Sequence, residues 1–162
     1  MNGDLEVVRV ETQDDGTNLI VTIELRNKSQ RTLHVYAEPR NIQYDQATKR
    51  LTIYLTDRQT KEMMGSIFRR PRLRAVDANG TTVLTLKLPR ELTRLAQTAE
   101  KQPAPQFEKL AIHEAESVEV HVAWSDRPFY TDPRPKQTKR TPLEELVAWE
   151  KGVGVGTGGP RK

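Results

Sequence analysis

The sequence predicts an all-β protein: an antiparallel β-sandwich of about eight strands, with a helical insertion and a short amphipathic C-terminal helix. Three observations predict it. Apolar and polar residues alternate with period two at Leu19, Val21, Ile23, Leu25 and again at Val118, Val120, Val122, Trp124, which is what a half-buried strand requires. Turn signals such as Asp14-Asp15-Gly16 and Asp77-Ala78-Asn79-Gly80 separate the apolar runs. No alternation of strands with long helical patterns suggests a parallel sheet.

The strands follow in order. Leu5–Glu11 is the first. Asn18–Arg26 follows the Asp-Asp-Gly turn, and Asn27–Gln30 closes it with a second turn. Thr32–Ala37 places Leu33 and Val35 inward, and Pro39 then bends the chain or marks an edge. Asn41–Tyr44 is a short fourth strand. Asp45–Arg50 is polar and turns the chain into a fifth, Leu51–Thr56, whose Leu51, Ile53 and Leu55 alternate with Thr52, Tyr54 and Thr56. Leu73–Val76 and Thr82–Leu88 flank the Asp-Ala-Asn-Gly hairpin, and Glu116–Ser125 is the eighth. In spacing and alternation the run from Leu19 to Leu55 resembles immunoglobulin-like and fibronectin-III-like domains, without the cysteine pair of true immunoglobulin domains. The resemblance implies a sandwich and says nothing of function.

Two segments read as helix. In Pro89–Glu100, Leu92, Leu95, Ala96 and Ala99 recur at three and four residues, giving a helical insertion over about 89–112. Thr141 is a good N-cap, Pro142 suits the first helical position, Glu144 completes a capping box and Gly152 supplies the stop, which predicts a helix over 141–151. The expected organisation is a sandwich domain (1–125), a basic Pro-rich linker (126–140), that helix, and a flexible Gly-rich tail (152–162).

The 162 residues carry a net charge of +4, unevenly spread: residues 67–100 hold seven Lys/Arg against three Asp/Glu, and 126–162 hold eight against five. There is no cysteine, so disulfide and thiolate chemistry are excluded. No apolar run reaches the roughly 18 residues of a membrane helix. No signal-peptide pattern is visible at Met1–Leu5, so the cytoplasm is the expected compartment.

The catalytic search predicts no site. His113-Glu114 begins like a zinc-protease motif, but Ser117 stands where the second histidine would be. His34 and His121 point outward on strands. Glu116, Glu119 and His121 could gather on one sheet face as a metal or small-ligand site, against the simpler reading of a solvated strand face. Asp14-Asp15 suits a turn better than an acid/base pair. The glycine-rich tail lacks the strand, helix and Lys-Ser/Thr of a phosphate loop. No cofactor, metal or catalytic residue is expected.

What remains is surface. Met63, Met64, Ile67 and Phe68 lie in a long loop, and flexible methionines suit a binding face. Leu143, Leu146 and Val147 form the stripe of the C-terminal helix, with Trp149 on its flank as a candidate hot spot. These eight residues predict a non-enzymatic protein–protein interaction module, an adaptor or small subunit of an intracellular complex whose partner is another protein. The alternative is a nucleic-acid binder that uses the Arg69–Arg74 cluster, with Arg70, Arg72 and Arg74 in a row on one strand face, together with the basic tail. Oligomeric state is not legible.

Overall fold

The computed structural model describes residues 2–56, 72–95, 107–127 and 149–160. Eleven strands are formed among them: β1 (Leu5–Asp14), β2 (Asn18–Asn27), β3 (Leu33–Tyr36), β4 (Asn41–Asp45), β5 (Arg50–Leu55), β6 (Leu73–Val76), β7 (Thr81–Pro89), β8 (Leu92–Leu95), β9 (Phe107–Leu110), β10 (Ser117–Ser125) and β11 (Gly152–Pro160). Short 3-10 turns occupy Asn2–Asp4 and Ile112–Glu114. All eight expected strands are present to within a few residues at their ends.

The arrangement corrects the predicted sandwich. Nine strands make one curled, mixed sheet in the order β4-β5-β10-β11-β1-β2-β7, with β3 also on β10 and β6 on β3. β10 runs parallel to β5, and β11 runs parallel to β1 where the two meet at Glu11↔Gly159 and Thr12↔Pro160. The prediction failed on direction because a strand's side-chain period is two whichever way its neighbour runs.

β10 is the hub. One side pairs along its length with β11, from Val118↔Gly158 to Trp124↔Gly152. The other side pairs first with β5, from Ser117↔Arg50 to Val122↔Leu55, and then with β3 at Trp124↔Val35. The inward rows of the sheet converge on one core that includes Val21, Ile23, Leu25, Leu51, Ile53, Leu55, Leu84, Val118, Val120 and Val122, all essentially inaccessible. The curl brings two strand edges together: Arg74 of β6 donates through Nη1 to the Val83 carbonyl of β7 at 3.1 Å.

Three further expectations change. The helical insertion is replaced by a ribbon, β8 paired antiparallel with β9 through Leu92↔Leu110 to Leu95↔Phe107. Its three- and four-residue apolar spacing also fits a strand followed by a connection, since Leu92 and Leu95 are too few to separate the periods. No helical insertion or C-terminal helix stands among the elements of the described residues. Most of 141–151 lies outside those residues, and Trp149–Lys151 leads directly into β11. Finally, Gly152–Pro160 is not a tail but a nine-residue strand between β10 and β1.

Asn27 joins the corners of this fold. The side chain is inaccessible, and its Nδ2 donates to the carbonyls of Arg31 (2.7 Å) and Val76 (2.9 Å). Its Oδ1 accepts from the Ser29 N–H at 2.9 Å, and its own N–H donates to the Gly80 carbonyl at 2.9 Å. One carboxamide thus ties the end of β2 to both the β2–β3 and β6–β7 turns. Asn27→Ala would strand buried carbonyls, and we expect it to destabilise the fold by about 3 kcal/mol. Urea unfolding of the variant would show this as a lowered midpoint.

Candidate functional site

The groove along β4 is the candidate site. Among the described residues β4 pairs on one side only, with β5, in the register Asn41↔Tyr54 to Asp45↔Arg50. Sequence explains its shortness. Pro39 cannot donate to a ladder, and the Asp45 carboxylate ends the strand by accepting the N–H groups of Ala47 (2.9 Å) and Thr48 (3.4 Å). Lys49 then takes the left-handed conformation, with φ 54°, that returns the chain as β5.

All five residues of β4 line an open groove of about 990 Å³. Consecutive strand residues face opposite ways, so a groove touched by every one of them runs along the strand's edge. Leu92 and Thr93 of β8 and Leu110 of β9 form the facing wall. The inward residues Ile42 and Tyr44, with Leu92 and Leu110, give the groove its apolar lining, and all four belong to or pack against the core. Asn41, Gln43, Asp45, Arg50 and Thr52 form a polar rim. The ribbon is held at its base, where Leu110 and Ile112 are buried in the core and His113 donates its backbone N–H to the Arg90 carbonyl at 3.1 Å. Arg90 in turn grips the Asp14 carboxylate through two bonds of 2.9 Å. Asp14 therefore serves a turn and an anchor, as its place beside Gly16 suggested.

The rim continues into a polar cluster on the outer face of β5 and β10. Arg50 Nη2 donates to Glu119 Oε1 at 2.7 Å, and His121 Nε2 donates to Glu119 Oε2 at 3.0 Å. The His121 ring lies 4.9 Å from that of Tyr54, and the Tyr54 hydroxyl reaches Gln43 Oε1 at 3.5 Å. The His121 hydrogen bond, followed by the charge of Arg50, holds the Glu119 carboxyl below its usual 4.5. A depressed carboxyl stabilises the fold fully above the unfolded value and ceases to do so as pH falls through the folded one. We therefore expect Glu119→Gln to be less stable than the parent at neutral pH. The difference should close as pH is taken below 4.5, as followed by denaturant titrations across that range.

The alternative His121 group is thus half present. His121 and Glu119 meet, but Glu116 does not join them: its N–H is held by the Lys49 carbonyl at 2.8 Å, beyond the end of the pair. No group of three His, Asp or Glu suited to a metal forms among the described residues. His34 sits on β3, where burial lowers its pKa.

The predicted partner contacts Met63, Met64, Ile67, Phe68, Leu143, Leu146 and Val147 lie outside the described residues, as do Arg69 and Arg70. Trp149 is described, and it faces inward. It is 4% exposed, stacks on Tyr36 at 5.4 Å and donates its indole N–H to the Arg127 carbonyl at 2.8 Å. Arg72 and Arg74 are both exposed, but Arg74 spends its guanidinium on β7. Sequence reasoning did not find the β4 groove, since its signal was only a short strand after a proline. No helix among the described residues is long and apolar enough to cross a membrane. Compared with known proteins, the chain matches no family model, no curated protein and no solved structure.

Proposed function

We propose that this protein is a non-enzymatic binding module that receives an extended segment of a partner protein by strand addition on β4. One observation carries the reading: the edge of β4 that is unpaired among the described residues forms, over its whole length, one side of a groove that Leu92 and Thr93 of β8 and Leu110 of β9 also line. An edge strand turns alternate N–H and C=O groups away from its sheet, and an added strand satisfies them. Five residues at about 3.4 Å each offer roughly 17 Å of edge, enough to set the register of a short segment. The apolar lining of Ile42, Tyr44, Leu92 and Leu110 would take the alternate side chains that point inward, and the polar rim would face those that point out.

The edge is also guarded. The Ile42 N–H donates to the Asn41 side-chain oxygen at 2.9 Å, so an incoming strand must displace that carboxamide. This suits reversible capture better than permanent pairing and limits self-association.

The test uses labelled eight-residue peptides of alternating valine and threonine, with amide hydrogen exchange read by NMR. Binding should slow exchange at β4 and the facing ribbon. Methylating the peptide's alternate backbone nitrogens should abolish binding in one register and spare it in the other, because only one set of amides faces β4. Protection confined to a different edge, such as β7, or none at any peptide concentration, would sink the reading.

A further inference from the structure

The edge of β4 offers its backbone groups at fixed positions, and two observations tell which. The Arg40 N–H donates to the Tyr54 carbonyl at 2.7 Å, although Tyr54 stands in register with Asn41. Two residues therefore oppose one at this end of the ladder, a bulge that puts Asn41 among the residues bonded to β5. Bonded residues alternate along an antiparallel pair, so Gln43 and Asp45 also face β5. The second observation agrees. The Ile42 N–H donates to Asn41 Oδ1 at 2.9 Å, a bond made along the strand rather than across to β5. Ile42 and Tyr44 are thus the residues whose N–H and C=O groups turn away from β5. They are also the two residues of β4 that contribute to the apolar lining of the groove.

This coincidence sets the chemistry of the partner. In an antiparallel addition, the residues opposite Ile42 and Tyr44 would exchange both bonds with them, so three consecutive partner residues would make four backbone bonds. A parallel addition draws its bonds from the residues that flank the opposite ones, and five residues must be ordered to make the same four. Having fewer residues to order favours the antiparallel mode. Directly opposed residues share a face of the sheet. The bonding residues would therefore also send their side chains onto Ile42, Tyr44, Leu92 and Leu110. The residue between them, opposite Gln43, would turn its N–H away from β4.

We propose that the partner segment is an apolar–polar–apolar triplet laid antiparallel to β4, whose apolar residues bond Ile42 and Tyr44 and whose middle position admits proline. This rests on the strand-addition reading and names the segment that it takes. Proline at either apolar position would remove a needed donor, and in the middle it removes none.

The experiment measures fluorescence anisotropy with labelled eight-residue peptides of alternating valine and glutamine. Glutamine holds the register, because a slip by one residue would turn it onto the apolar lining. Methylating the valine nitrogens should weaken binding about tenfold or more, and methylating the glutamine nitrogens should leave it within about twofold. In the protein, bound peptide should slow amide exchange at Ile42 and Tyr44 and leave Gln43 unchanged. Asn41→Ala, which releases the Ile42 N–H, should tighten binding about fivefold. Loss on glutamine methylation, protection at Gln43 rather than at its neighbours, or an Asn41→Ala affinity equal to the parent's would each overturn this inference and leave strand addition standing. Methylation without effect at either set would overturn both, as would binding by none of the peptides.

Discussion

Gly158→Ala is expected to destabilise the protein by about 3 kcal/mol or more, although it adds one methyl group. In a flexible tail the change would be neutral, and in an ordinary strand alanine improves on glycine by roughly 0.5–1 kcal/mol. Here the methyl would run into the Val10 backbone carbonyl, which cannot rotate aside. Gly156 faces the Val7 side chain in the same way. At Gly154 an added Cβ would lie 3.1 Å from the Leu5 carbonyl, and at Gly152 it would lie 2.8 Å from the Trp124 indole. Conformation is not the issue, because Gly16 is the one glycine with positive φ among the described residues. Space is. β1 crosses the glycine face of β11 so closely that side chains are excluded, and Leu5, Val7 and Val10 fill the room instead. Against a total stability of about 5–15 kcal/mol, the loss would be visible in any urea titration. Gly3→Ala, where a Cβ would meet nothing within 4 Å, is the control and should leave the midpoint unchanged.

That strand shows how a pattern can be present and still be misread. Gly152, Gly154, Gly156 and Gly158 repeat with period two, the same period that revealed β2 and β10. Their alternation is inverted. The glycine face carries no side chain, while Val155 and Thr157 on the other face are exposed, Val155 at 52%. Hydrophobic periodicity marks a strand by what its inner face buries. A face that buries only backbone looks like a linker on that measure. The eight legible strands were those whose inward rows are valine, leucine and isoleucine. Their neighbours and directions were not legible, because pairing between β5 and β10, or β1 and β11, joins segments far apart in the chain. Nothing in the local alternation records such a partner.

The candidate site was less legible than the fold for the same reason. Asn41–Asp45 was recognisable as a strand, and Pro39 as the mark of a bend or an edge. The groove needs the β8–β9 ribbon opposite, and that ribbon was hidden under apparent helical spacing. Tyr44 of the groove lies close enough to Glu114 and Glu116 to feel their charge, although they are about seventy residues away in sequence. Glu119 and His121 were visible as a pair because they stand two apart on one strand face. Arg50 was not, since it reaches Glu119 only through the parallel pairing of β5 with β10.

Trp149 was read as a surface anchor, and its substitution distinguishes that role from the one its position implies. A surface hot spot can be truncated at no cost to the free protein. Trp149→Ala should instead lower the stability of the isolated chain by about 3–5 kcal/mol, as expected for a buried tryptophan. The indole would leave a cavity against Tyr36, itself fully buried, and would free the Arg127 carbonyl that it caps at 2.8 Å. The neighbouring bonds locate the consequence. The Lys151 N–H donates to the Trp124 carbonyl at 2.8 Å, and Thr56 donates to the buried Glu150 carboxylate at 2.6 Å. Trp149 thus stands in the segment that delivers β11 into the slot between β10 and β1, and loosening it should loosen that strand. Hydrogen exchange in Trp149→Ala should therefore rise first along β11 and the edge of β10 that pairs with it. Trp149→Phe keeps the stacking but not the N–H, and should cost about 1 kcal/mol. If the alanine variant unfolds at the parent's midpoint, Trp149 does not hold β11 in place, and its burial against Tyr36 contributes nothing to the fold.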